Sequence, residues 1–122
     1  VLDELRQRMD AVIAGGVAPE RIVIDPGLGF AKDAAHDLSL VAHLAELRTL
    51  GRPLLVAASR KRFLGHVLAG PGSAPPPARE RDAATAAVSA LCAAARGGAG
   101  RVHAVRGTPR AVRGARAVEG AA

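Results

Sequence analysis

The 122-residue chain is 49% hydrophobic, 23% charged and only 2% aromatic, with a formal net charge of +6; this is enough apolar material for one core, in one ordinary domain or part of a larger one. No apolar run approaches the ~20 residues needed to cross a bilayer and no signal-peptide pattern is present, so a cytoplasmic protein with no membrane partner is expected. The basic excess is almost all Arg, without Trp or Tyr beside it, which argues against a nucleic-acid surface, where basic faces are clustered or interleaved with stacking aromatics.

Val1 rather than Met opens the chain, which favours part of a larger domain. Residues 1–14 read as an amphipathic helix with Leu2, Leu5, Met9, Val12 and Ile13 on one face, and Gly15 and Gly16 stop it. After Pro19, the run Ile22-Val23-Ile24 has no polar alternation, which suits a strand buried on both faces as in a parallel sheet. The run ends at Asp25, and Pro26, Gly27 and Gly29 then give a loop with unusual backbone freedom. A helix is predicted over 35–50, with Leu38, Val41, Leu44, Leu47 and Leu50 on one face, closed by Gly51 and Pro53.

A second buried strand is predicted over 54–58, running into Ser59, Arg60, Lys61 and Arg62. A short helix over 63–68 follows, then the Pro-rich stretch 71–78, expected to be exposed and mobile. Residues 79–96 read as an Ala-rich helix with Glu80 and Asp82 at its start, where the helix dipole favours acids. It holds Cys92, the only cysteine and most simply a small buried apolar residue, so neither a disulfide nor a cysteine metal site is available. Gly97, Gly98 and Gly100 end that helix, a third strand is predicted over 101–105, and a last helix starts near Pro109, with a fraying tail from Gly114. Alternating βα units of this kind imply parallel strands joined by right-handed crossovers. Three such units are about half of a (β/α)8 TIM barrel, which takes eight units and ~250 residues.

In parallel α/β folds ligands bind at the C-terminal ends of strands, and each strand end here is polar: Asp25, then Ser59 to Arg62, then Arg101 and His103. One acid beside cations and an imidazole suits a heterocycle donating N–H groups to the acid, with an attached anion on the cations. Arg101 and His103 alternate on a strand and so emerge on one face. The plainer readings are an Asx turn for Asp25, a solvated basic turn for Arg60 to Arg62, and a hydrogen-bonded buried imidazole for His103. His36, His43 and His66 form no metal-ligand spacing.

Taken together, the stretches Asp25-Pro-Gly-Leu-Gly-Phe-Ala-Lys32, Ser59-Arg-Lys-Arg-Phe-Leu-Gly65, Arg81-Asp-Ala-Ala-Thr85 and Arg101-Val-His103 resemble dihydropteroate synthase in order and spacing. The resemblance covers nearly all of residues 1–122, as the C-terminal half of that pterin-binding barrel. It implies condensation of 6-hydroxymethyl-7,8-dihydropterin pyrophosphate with p-aminobenzoate to give 7,8-dihydropteroate and pyrophosphate in folate biosynthesis. By that resemblance Asp25 accepts hydrogen bonds from the pterin ring, Lys61 contacts the pterin beside the p-aminobenzoate site, and Arg101 and His103 hold the pyrophosphate. Phe30, on a loop freed by Gly27 and Gly29, helps to enclose p-aminobenzoate, and Arg62 joins the substrate-binding set. Lys61, Arg101 and His103 are the expected catalytic residues. A Mg²⁺ on the pyrophosphate, with its protein ligands outside this chain, and a homodimer are also implied.

The family usually carries Asp after the His of the last motif, where this chain has Ala104. Its upstream strands, with a metal- and pyrophosphate-binding Asn loop and further pterin-binding residues, have no counterpart here. Two alternatives follow, a noncatalytic pterin- or anion-binding relative and a pterin-binding methyltransferase domain.

Overall fold

A computed structural model describes residues 1–121. Helix α1 (Leu2–Ala14) keeps acids in its first turn and lays Leu2, Leu5 and Met9 against the core. After a 3-10 turn at Pro19–Arg21, Ile24 pairs in parallel with Leu54. Leu55 and Val56 form β1, which pairs in parallel with β2 (Ala99–Gly100), Leu55 opposite Ala99 and Val56 opposite Gly100. Three parallel chain segments therefore lie side by side in chain order, as expected.

The strands are shorter than predicted. Only Ile24 of the first run is paired, and Val23 is 55% exposed rather than buried. The Ile24 N–H donates to Pro53 O at 2.9 Å and Ile24 O accepts from the Leu55 N–H at 2.8 Å, which uses one edge of the segment. The other edge meets no strand among the described residues. The third strand lies at Ala99–Gly100 instead of 101–105: the Gly98 and Ala99 N–H groups both donate to Leu54 O, and beyond them only the Arg101 N–H reaches β1, at Val56 O and 3.1 Å.

Helix α2 (Ala34–Ala42) is capped by Asp33, whose carboxylate accepts from the His36 N–H. The predicted single helix over 35–50 breaks at His43, whose backbone leaves helical geometry and whose Nδ1 lies 2.7 Å from Ser39 O. It resumes as α3 (Leu44–Leu47) and a 3-10 turn closed by left-handed Gly51. Leu44, Leu47 and Leu50 are buried as the spacing requires, while Leu38 is exposed. Helix α4 (Arg62–Leu68) buries Phe63 and Leu64. The stretch 71–78 is exposed except for half-buried Pro76. A 3-10 turn, Ala78–Arg81, precedes α5 (Asp82–Ala94), and α6 (Gly107–Glu119) packs chiefly on α5. Helix α6 starts before Pro109 and continues through the tail expected to fray. Ile24, Leu28, Leu54, Val56, Phe63, Leu64 and Cys92 share one apolar cluster between sheet and helices.

Candidate functional site

The three parallel segments deliver their following residues to one end of the sheet. Beyond β1 and β2 a cleft of about 840 Å³ is lined by Ser59, Arg60, Lys61, Arg79, Arg101 and His103 among others, and no acidic side chain lines it. The Ser59 hydroxyl joins its two sides. Its Oγ accepts from the His103 N–H at 3.0 Å and lies 2.9 Å from His103 Nδ1, which leaves Nε2 as the ring nitrogen available to a ligand. His103 is exposed, so the buried-imidazole reading does not hold, and Arg101 beside it has no side-chain hydrogen bond or ion pair among the described residues.

Lys61 and Phe30 are brought together from 31 positions apart in sequence: Lys61 Nζ lies 4.0 Å from the centre of the Phe30 ring. Gly29 makes this approach possible. Its φ is +77°, and a Cβ there would sit 2.9 Å from Lys61 Cδ. The loop carrying Phe30 is tied down on both sides. Lys32 Nζ donates to Gly27 O at 2.9 Å and Phe30 O at 3.0 Å, and Asp37, only 2% exposed, accepts from the Gly29 N–H at 2.8 Å. Asp37 was missed in the sequence, although an acid at 37 shares three- and four-residue spacing with Val41 and Leu44, and an acid on an apolar helix face is itself a signal.

Asp25 does form the Asx turn: Oδ1 accepts from the Gly27 N–H at 2.8 Å. Its other oxygen has no partner among the described residues, so the turn engages one oxygen of this exposed carboxylate and leaves the other unengaged. Asp25 and Phe30 do not line the cleft, and Arg62 borders a separate small pocket with Lys32, Asp37 and His66.

Arg60 is not a solvated turn residue. It adopts φ +59°, and its guanidinium grips Asp82 with two parallel bonds of 2.7 and 2.8 Å, while its N–H donates to Thr85 Oγ1. The guanidinium hydrogen-bonded to Asp82 holds that carboxyl below its ordinary range, and the same bond raises Arg60. The Arg81-Asp82-Thr85 stretch thus braces the segment that presents Lys61. Another cavity, of about 300 Å³, lies between β2, α5 and α6. It holds buried Cys92, whose thiol burial pushes up to about 11, and Thr108, whose Oγ1 has no partner among the described residues.

Among the described residues no three of His, Cys, Asp and Glu gather as a metal site. The cleft is lined by cations and holds no carboxylate among the described residues, so its own side chains do not fit a Mg²⁺ ion.

A family model described as pterin binding enzyme matches residues 1–103. The dihydropteroate synthase of Mycobacterium leprae is 48% identical over 103 residues, 84% of this chain and 36% of that protein, and that of Synechocystis is 42% identical over 109 residues. The chain spans about a third of the length of such relatives. A crystal structure of Yersinia pestis dihydropteroate synthase with a sulfonamide drug complex superposes with a TM-score of 0.90 at 32% identity, over 99% of this chain and 42% of that one. The enzyme of Anaplasma phagocytophilum with bound 6-hydroxymethylpterin-monophosphate gives 0.85 at 33% identity, over 96% and 43%. The three parallel segments and their helices are therefore part of a (β/α)8 barrel, as the alternation of elements implies.

Proposed function

This chain belongs to the pterin binding enzyme family, and on that premise we propose that it is the C-terminal part of a dihydropteroate synthase. The observation that carries the reading is the meeting of Lys61, Arg101 and His103 on one acid-free cleft at the ends of adjacent parallel segments. In the proposed reaction the amine of p-aminobenzoate forms a C–N bond to the methylene carbon of the dihydropterin pyrophosphate. The C–O bond breaks, its electron pair leaves with pyrophosphate, and the nitrogen gives up one proton. Arg101 and His103 neutralise the charge that develops on the leaving group. Lys61 stands between pterin and p-aminobenzoate, Phe30 encloses the latter, and the free oxygen of Asp25 accepts N–H groups of the pterin. Gly27 and Gly29 shape that loop. Arg62, next to Lys61, joins this set by charge alone.

A Mg²⁺, where the reaction uses one, would offset leaving-group charge and would be held by groups other than the side chains of this cleft. A cytoplasmic, homodimeric enzyme completes the proposal.

The test is dihydropteroate formation by the purified chain, alone and with the N-terminal part of a relative supplied in trans, with Arg101→Ala as control. Turnover in either case that is lost in the variant supports the proposal. A folded complex without turnover counts against it. Ala104 favours a second reading, a noncatalytic pterin or anion binder. A large gain in turnover on Ala104→Asp in that complex would support it.

A further inference from the structure

Four cationic side chains border the cleft, Arg60, Lys61, Arg79 and Arg101, and they are not equivalent. Arg60 is committed to Asp82 and Lys61 lies over Phe30. Arg79 and Arg101 have neither a carboxylate nor a side-chain hydrogen-bond partner among the described residues. Both guanidinium groups are therefore free to meet an anion that enters the cleft.

The backbone turn that carries Arg79 is also held in place. Arg79 belongs to the turn Ala78–Arg81, and Arg81, two residues on, donates to Pro76 O at 2.9 and 2.7 Å and to Arg60 O at 3.1 Å. One guanidinium therefore ties the turn both to the Pro-rich stretch before it and to the segment after β1. Gly65 makes room for this clamp: a Cβ there would meet Arg81 Nε at 2.8 Å.

We infer that Arg79 is a further substrate-binding residue, which meets the diphosphate of the pterin substrate together with Arg101 and His103 Nε2. The inference rests on the function proposed above and adds to it a cation from a separate segment of chain. An Arg fork suits phosphoryl oxygens because it presents several N–H donors in one plane, and two phosphoryl groups offer more acceptor oxygens than Arg101 and His103 alone can engage.

The experiment is calorimetric titration of the 122-residue chain with inorganic pyrophosphate at several salt concentrations. Arg79→Ala is expected to weaken binding about five- to tenfold, the loss of one partly exposed charge-assisted contact, and to make it less sensitive to salt. Arg79→Lys is expected to recover the salt sensitivity and part of the affinity, since it restores the charge but not the fork, which a purely structural role would not require, and circular dichroism is expected to be unchanged in both. Binding that falls in Arg101→Ala but not in Arg79→Ala would overturn the role of Arg79 and leave the proposed function standing. Absence of pyrophosphate binding by the folded native chain, or binding indifferent to both variants, would overturn the anion seat itself and the role of Arg79 with it.

Discussion

Asp37 holds the Phe30 loop from beneath, through a single bond to the Gly29 N–H, and it is among the most buried side chains of the molecule. A hydrogen bond to a charged group contributes about 1.5–3 kcal/mol. Asp37→Leu is therefore expected to lower unfolding free energy by about that amount, whereas Asp37→Asn, which keeps an acceptor oxygen, stays within about 1 kcal/mol of native. Urea unfolding of both checks this, and equal losses would show that charge rather than the bond matters. The glycines of this loop were legible as backbone freedom after a strand, whereas the close approach of Lys61 to Gly29 was not. The role of Asp37 was harder to read because a lone acid in a helix usually faces solvent. Only the fold places this one under the loop.

At the scale of elements, Arg60 and Asp82 couple the segment after β1 to the first residue of α5. The pair is partly exposed, so solvent screening discounts its net effect, yet it fixes a left-handed Arg immediately before Lys61. Because the folded Asp82 carboxyl lies below its ordinary value, its contribution is present above the unfolded value and is lost as pH falls through the folded one. Asp82→Asn is thus expected to melt below native at neutral pH, with the gap closing beneath about pH 4, where the unfolded carboxyl protonates. Melting temperatures from pH 2.5 to 7 measure it, and a gap that persists unchanged at pH 2.5 would rule out the ion pair as its cause. Glu80 and Asp82 were read as dipole partners of a helix start, which Asp82 is; its second use, gripping Arg60 from 22 residues away, has no local signal.

For the molecule as a whole, the sheet is open at the Ile24 segment. The Ile24 and Leu55 N–H groups are bonded, while those of Val23 and Asp25 have no backbone partner among the described residues. Hydrogen exchange by NMR is expected to be slow at Ile24 and Leu55 and close to unprotected at Val23 and Asp25. Protection of Val23 and Asp25 in the isolated chain would mean that another copy or strand covers the edge.

The sequence alone determined the alternation of apolar runs and helical stretches, the polar residues that end each run, and the four motifs that mark the family, since these depend on local periodicity, on glycine and proline, and on residues close together in the chain. Only the tertiary structure decided how far each strand pairs, that the helix over 35–50 breaks at His43, that Ser59 joins His103, that Arg60 turns to Asp82, and that Arg79 borders the cleft. The Ser59–His103 and Arg60–Asp82 bonds join groups 44 and 22 positions apart, and such bonds form only when loop closure has been offset by packing of the shared core.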